Sequence, residues 1–520
     1  MIRVVTSSES AARDASAIAA GVPSRALMQR AGAAAAGEIA LRYRDRLSAG
    51  VLVLAGPGNN GGDAWVVARA LSAAGARVRV LEPIEAKTPD ASAERALALE
   101  TLPEGSLVSG TDATDSIAGV ERIVVDGLFG TGGRGHLTGA FAKCAELTIA
   151  VRQRGAVVVA LDLPSGVDAT TGESSEHAIS ADCTLTFGTI KRAHLIRRDA
   201  CGTIVVLDIG LGVHSSLDDG APSLIDDAYV AANLPPIGAE AHKGTRKKLA
   251  IVGGSARMAG ATVLAARGAM RSAIGMVKLV VDPASVPVIQ ETEPHALAAP
   301  WPTDADGVRT TIAEWADAVV IGPGLGRSDA SRAILELVLH NWNGPMLLDA
   351  DAITLFEGRA QLLAGLIGDQ AALLTPHPLE FSRISGIPAE EVLANRFDVA
   401  RSEAAALGAT ILLKGVPTII ASRGGAQLVS ATGTPALATA GSGDVLSGIA
   451  GTMLAQTGNA FVAGAIGAYV HGRAAERIPS SAGVRGISLE DVVAELRQSW
   501  TFDDRPTRYP VLAELPAIGR

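Results

Sequence analysis

In the stretch ATAGSGDVLSG, residues 438–448, two glycines and two small hydroxyl residues lead into a carboxylate, Asp444, at the start of a helical pattern. Consecutive backbone N–H groups in such a turn can stabilise an oxyanion or a transferring phosphoryl group. A neighbouring carboxylate then has a task that phosphate binding lacks, accepting the proton of an attacking hydroxyl. The alternative is a helix-start aspartate favoured by the dipole, worth under about 1 kcal/mol at an exposed end. The residue types point to phosphoryl transfer from a nucleotide to a hydroxyl.

Other groups in the same half fall at predicted strand ends or helix starts: IVGGS (251–255), GPGLG (322–326), LLDADAI (347–353), LTPHPLEF (374–381) and LLKGVPTII (412–420). Prolines on both sides hold the backbone of His377 in a defined turn, where it either acts or caps a loop. Lys414 is either a surface lysine or, with Gly415 permitting close approach, a phosphate ligand.

The first half carries a different set. GPGNNGGDAW (56–65) follows a predicted strand and opens a predicted helix, whose first N–H groups and dipole favour an anion. An Asn-Gly hairpin is excluded because one flank is strand and the other helix. DGLFGTGGRGH (126–136) and ALDLPSGVDATTG (160–172) end two later strands, so three polar loops converge on one cleft. Asp162 is a general acid/base or a turn-former. Asn60, Asp126 and Ser165 offer hard oxygen ligands, suited to an alkali or alkaline-earth ion and not to zinc.

The elements that must position these groups alternate. VLVLAG, RVRVL, RIVVDGLFG and AVVVALDLPSG read as strands with a helix through AWVVARALSAAG, the βαβ signature of a parallel sheet covered on both faces. The pattern breaks at residues 213–238, then restarts with KLAIVGG, a helix through GATVLAARGAMRSA, MVKLVVD, AVVIGPGLG, MLLDADAI, ALLTPHPLEF and ATILLKG. Two α/β domains are expected, with a loosely attached tail from residue 503. Residues 445–470 carry no charge and are long enough to span a bilayer, but Gln456, Thr457, Gly458 and Asn459 split them into two buried helices.

Composition agrees with this organisation. The 520 residues are 48% apolar and 19% charged, with net charge −9 and 3% aromatics. That is globular, and it offers neither a basic stripe nor stacking platforms for nucleic acid. Cys144, Cys183 and Cys201 are too scattered for a zinc site or a disulfide framework, and the N-terminus lacks a signal-peptide pattern. A cytoplasmic enzyme without membrane partners is expected.

Both halves resemble known families. HKGTRKKLAIVGGSARMAGA, GPGLG, DADA, TPHPLEF, KGVPT and GSGDVLSG together are similar to the ribokinase-like NAD(P)H-hydrate dehydratases. LMQRAG, GPGNNGGD, DGLFGTGGRG and LDLPSGVDATTG resemble the Rossmann-like NAD(P)H-hydrate epimerase domain, in the fused order of bacterial bifunctional repair enzymes. The resemblance implies an epimerase domain over 1–215 and a dehydratase domain over 221–505. It implies NADHX and NADPHX as substrates, ADP as phosphoryl donor, K+ in the first domain, Mg2+ in the second, and a homo-oligomer.

Carried over by position, Asn59, Asn60, Gly61, Gly62, Asp63, Gly130, Thr131, Gly132, Gly133, Arg134, Gly135, His136 and Asp162 contact the hydrate in the first domain. Asn60, Asp126 and Ser165 hold K+, and Asp162 is the acid/base at C6. In the second domain Ala261, Gly324, His377 and Asp444 line the hydrate site, with Asp444 as base. Lys414, Gly415, Val416, Pro417, Thr418 and Gly443 contact the nucleotide. Gln29, Ala64 and Ser442 depart from the family pattern. The rival reading is an ATP-dependent small-molecule kinase with a non-catalytic N-terminal module, which would release a stable phosphate ester instead of free phosphate.

Overall fold

In a computed structural model of the chain, the described residues are 1–110, 114, 117, 120–133, 137–478, 484–502 and 507–518. The chain divides into two compact units, one built on Ile2–Ala221 with the C-terminal strand and the other starting at Pro222.

The first unit holds an eight-stranded sheet. Its β-branched runs form β1 (Val51–Ala55), β2 (Val78–Glu82), β3 (Leu107–Ser109), β4 (Ile123–Gly127), β5 (Val157–Leu161), β6 (Cys183–Phe187) and β7 (Thr203–Leu207). All are parallel, in the order β7-β6-β5-β4-β1-β2-β3. Helix α1 (Asn59–Ala73) follows β1, so the expected strand-loop-helix unit is present. The chain runs outward from β1 to β3 and returns to β4 on the other side of β1. The carboxyl ends of β1 and β4 therefore form a topological switch point, where open sheets bind ligands.

One expectation fails. Instead of a loose tail, Val511–Leu515 is an eighth strand, antiparallel to β7. Arg42 fixes it by pairing with Glu514, and Val511 enters the core. Its apolar residues are too few and too interrupted by charge for periodicity to reveal it; the open edge of β7 supplies the missing partner.

The second unit is built on a ten-stranded sheet. Its strands are β8 (Ser223–Leu224), β9 (Lys248–Gly253), β10 (Met276–Val281), β11 (Leu297–Pro300), β12 (Ala318–Ile321), β13 (Met346–Leu348), β14 (Ala372–Leu374), β15 (Thr410–Leu413), β16 (Thr418–Ala421) and β17 (Gln427–Ser430). The order is β8-β17-β16-β15-β14-β13-β12-β9-β10-β11, parallel except for β16, which runs antiparallel to both neighbours. LLKGVPTII is thus a hairpin between β15 and β16. The switch point recurs between β9 and β12. Helix α2 (Ala259–Met270) follows β9, and α3 (Pro378–Ser385) follows β14.

The uncharged stretch forms α4 (Ser442–Thr457) and α5 (Ala460–Arg477), broken at Gly458 and restarted by the Asn459 side chain, which accepts from the N–H groups of Phe461 and Val462. Among the described residues no helix is long and apolar enough to cross a membrane. A Cβ on Gly448 of α4 would lie 1.9 Å from the carbonyl oxygen of Ala265 in α2. Only glycine lets these helices approach so closely.

Candidate functional site

In the first unit the loops after β1, β4 and β5 meet at the switch point. A Cβ on Gly56 would collide with the carbonyl oxygen of Leu128 at 1.8 Å, so the loops touch backbone to backbone. A cavity of about 600 Å³ opens there, lined by Asn59, Asn60, Asp63, Gly130, Thr131, Gly132, Gly133 and Asp162. Arg134, Gly135 and His136 lie outside the described residues.

Asp162 does not cap a helix. It holds a left-handed backbone (φ 62°), which a non-glycine residue adopts only where its surroundings demand it. The demand comes from the β6 side. One carboxylate oxygen accepts from the Lys191 ammonium and, at 3.2 Å, from Thr186 Oγ1; the other accepts from the Thr131 N–H at 3.3 Å. Its carbonyl oxygen accepts from His194 Nε2 at 2.7 Å, and His194 Nδ1 accepts from the Lys191 N–H. Burial pushes His194 down to about 4, so it stays neutral in this role. Lys191 is 1% exposed, held by a short parallel pairing of Val4–Val5 with Ile190–Lys191.

Burial alone would raise the pKa of Asp162, yet the Lys191 ammonium keeps its carboxyl below the usual range. Asp63, partly buried on the same cavity, moves the other way: burial, then the charge of Asp162, pushes it well above the ordinary value.

Asp126 accepts from Ser165 Oγ at 2.6 Å and from the Ser165 N–H at 2.8 Å. Burial raises its carboxyl to about 6. The side chain of Asn60 is buried beside Gly130, and neither its oxygen nor its nitrogen has a hydrogen-bond partner. Ser165 Oγ bonds the Phe129 backbone, one residue from Gly130, so one loop carries an unpaired buried amide on one side and the hydroxyl and carboxylate on the other, a set that fits a hard cation of low charge.

In the second unit the expected residues fall into two groups. Gly324 (φ 57°) approaches the Met258 carbonyl and Ala261; a Cβ there would lie 2.5 and 3.0 Å from them. The other group centres on Lys414, at the end of β15. Its ammonium donates to Asp349 Oδ1 at 2.8 Å and lies 3.3 Å from where a Cβ of Gly443 would sit. Asp349, at the end of β13 and 1% exposed, also accepts from Ser447 Oγ of α4 at 2.6 Å. Gly415, Val416 and Thr418 belong to the exposed side of the β15–β16 hairpin, with Pro417 buried beneath.

His377 caps α3: its Nδ1 accepts from the N–H groups of Leu379 and Glu380, while Glu380 accepts from the His377 N–H. Glu380 in turn lies 4.0 Å from Lys414, which brings the capped turn to the same site. Asp444 occupies the first turn of α4. Burial first, then Asp349, raises its carboxyl to about 7, with Lys414 opposing. A carboxylate whose pKa is raised toward neutrality, at a helix start and near a lysine, can take a proton while a phosphoryl group transfers.

Residues 249–498 match the NAD(P)H-hydrate dehydratase family, and residues 24–193 match the YjeF-related protein N-terminus family. The bifunctional NAD(P)H-hydrate repair enzyme Nnr of Thermanaerovibrio acidaminovorans is 33% identical over 92% of this chain and 94% of its own length. Its counterpart in Mycobacterium tuberculosis H37Rv is 36% identical over 84% and 86%. The chain belongs to the bifunctional NAD(P)H-hydrate repair enzyme family. A solved ADP/ATP-dependent NAD(P)H-hydrate dehydratase from Bacillus subtilis, co-crystallised with ATP and Mg2+, is 30% identical and covers 54% of this chain and 98% of its own, with TM-score 0.46.

The departures from the family pattern are accommodated locally. Gln29 donates to Glu94 at 2.6 Å, beside Arg25. Ala64 sits fully buried against Gly127, where a Cβ would already be 2.5 Å away, so a bulkier residue would need the strand to shift. Ser442 faces His471 at 3.5 Å. Sequence reasoning missed Lys191, Thr186 and His194, which no spacing links to Asp162. Asp349, Glu380 and Ser447 lay inside stretches already singled out, but nothing in the linear order says that β13, α3, β15 and α4 bring them together.

Proposed function

We propose that the first unit, over 1–215, interconverts the R and S hydrates of NADH and NADPH, and that the second, over 221–505, returns the S hydrate to the reduced nucleotide. The observation that carries this reading is the Asp444–Lys414–Asp349 arrangement at the start of α4. In the second unit Asp444 accepts the C6 hydroxyl proton as that oxygen attacks the terminal phosphorus of ADP. The bond from that phosphorus to the bridging oxygen breaks and AMP leaves. The C6–O bond then breaks, phosphate departs with the electron pair, and the ring nitrogen lone pair assists. Loss of a C5 proton restores the dihydropyridine. Phosphorylation matters because hydroxide leaves poorly and phosphate leaves well. Lys414, Gly415, Val416, Pro417, Thr418 and Gly443 hold the nucleotide, while Ala261, Gly324 and His377 line the hydrate.

In the first unit Asp162, held by Lys191, handles the proton at the C6 oxygen, with Asn59–Asp63 and Gly130–Gly133 contacting the hydrate. Asn60, Asp126 and Ser165 would hold K+, which when bound supplies a fixed positive charge at that loop. Mg2+ in the second unit suits delivery with the nucleotide phosphates: among the described residues no three His, Cys, Asp or Glu are grouped to hold a metal. The reading includes a homo-oligomer in the cytoplasm, and the three described cysteines are buried and unpaired.

The test follows near-ultraviolet absorbance of reduced nicotinamide when the full chain meets mixed R and S NADHX with ADP or ATP. Recovery of the whole mixture with ADP is expected. Recovery of the S fraction alone would remove the epimerase, and a stable phosphate ester in place of free phosphate would turn the second unit into a kinase.

A further inference from the structure

Asp349 takes no proton and makes no bond in the reaction described above, yet Lys414 and Ser447 both converge on it. Both of its oxygens are committed, one to the Lys414 ammonium at 2.8 Å and the other to the Ser447 hydroxyl at 2.6 Å. Lys414 comes from the end of β15, Ser447 from the first turns of α4, and Asp349 itself from the end of β13. Ser447 is three residues beyond Asp444, so its side chain lies on the same side of the helix. A buried carboxylate with two side-chain donors is costly to desolvate and is stable only in good geometry. Here that geometry fixes a lysine and a helix start with respect to each other.

We propose that Asp349 is a positioning residue for phosphoryl transfer: it ties Lys414 to the first turns of the helix that carries Asp444, and its charge governs when Asp444 can take the hydroxyl proton. The proposal rests on the dehydratase reading of the second unit.

The groups facing Asp444 are Asp349, Asp351, Lys414 and Glu380. Asp351 has its oxygens occupied by the Gly326 N–H and Arg327 Nε, at 2.9 and 3.0 Å. Glu380 is turned toward the His377 N–H and lies 4.0 Å from Lys414. His377 is depressed chiefly by burial, and His471, behind Ser442, is held at about 4 by burial. Asp349 Oδ2 lies 3.8 Å from where a Cβ of Gly443, the residue before Asp444, would sit, and of the charged neighbours it is the largest influence on Asp444 after burial itself, opposing ionisation. Lys414, the natural counter-ion for Asp444, is instead engaged by Asp349. One residue thus steers the lysine away from the base and keeps the base basic enough to work at neutral pH.

Asp349→Asn and Ser447→Ala separate the two parts. Asp349→Asn removes the charge but keeps an acceptor. The acid limb of kcat for dehydration is expected to move down by about one pH unit, because a like charge near Asp444 has gone. Ser447→Ala keeps the charge, so its acid limb should stay at the wild-type pH while kcat falls severalfold and the KM for ADP holds. A merely structural Asp349 would lower activity without moving the limb, and an unmoved limb in a folded Asp349→Asn protein overturns the charge claim. Unchanged kcat in Ser447→Ala overturns the tie, even if Asp349→Asn fails to fold. Carbon-13 NMR of aspartate-labelled full-length protein, with Asp444→Asn to identify the signal, reads the Asp444 titration without turnover. If the wild type dehydrates nothing but the Asp444 titration still shifts in Asp349→Asn, the dehydratase reading fails and the Asp349–Asp444 coupling stands.

Discussion

The two sites use the same kind of pair, a lysine and a buried aspartate, to opposite ends. In the first unit Lys191 binds Asp162, the carboxylate expected to react, and keeps it ionised. In the second unit Lys414 binds Asp349 and leaves Asp444 to be raised to about 7. A lysine therefore does not by itself announce an ionised base. What matters is which carboxylate it is bonded to, because the Coulomb term falls with distance while the desolvation cost applies to every buried carboxylate.

The two carboxylates expected to react, Asp162 and Asp444, should separate the two units most sharply. Asp444→Asn should lower dehydration by about 10²- to 10⁴-fold, the usual value of a positioned general base, while R-to-S interconversion stays at the wild-type rate. Asp162→Asn should do the reverse. Reduced-nicotinamide absorbance reads the first activity and chromatographic separation of the epimers the second; cross-effects would mean the two carboxylates do not serve separate reactions.

The pH profiles should differ next. Asp444 must be deprotonated to act as base, and its raised pKa puts that loss just below neutrality. Dehydration is expected to fall about tenfold per pH unit well below 7, since protonated Asp444 cannot accept a proton. Asp162 has a lowered pKa and stays ionised through that window, so any acid loss of epimerisation in the same range has to come from another group. Coincident acid limbs in both reactions would erase the distinction.

Stability offers a smaller contrast. Lys191→Met strands a buried carboxylate and should cost about 3 kcal/mol or more in urea unfolding of the full chain. Lys414 is 21% exposed, but Lys414→Met strands Asp349, whose side chain is only 2% exposed and keeps one side-chain donor, Ser447, so it should also cost about 3 kcal/mol. A much smaller loss in either variant would mean that the stranded carboxylate is reached by water or neutralised by a proton. The smallest effect belongs to the edge strand: Glu514→Ala removes a half-exposed pair with Arg42 and should change stability by about 0.5 kcal/mol or less.

Much of both sites was legible because their loops use residues with few alternative explanations. Asn59–Asp63, Gly130–Gly133, Gly322–Gly326 and the GSGD turn sit where a strand ends and a helix begins, and small residues there answer a backbone demand visible in one dimension. The helix break at Gly458 was equally plain. Lys191 was not, because its neighbours CTLTFGTI read as strand and a lone lysine at a strand end is ordinary. The C-terminal strand was hidden for a related reason: LAEL offers alternation too short to stand alone, and its partner lies about 300 residues earlier in the chain.

By itself the sequence determined the α/β class, the strand-loop-helix units and the family resemblance, since these follow from local periodicity, backbone preference and motif, and through that resemblance it singled out Asp162 and Asp444 as the carboxylates expected to react. Only the tertiary structure decided which carboxylate each lysine holds, and hence which aspartate is ionised and which is poised near neutrality. Those pairings join residues 29 and 65 positions apart, and their strength depends on distance and burial, which exist only once the strands are in order.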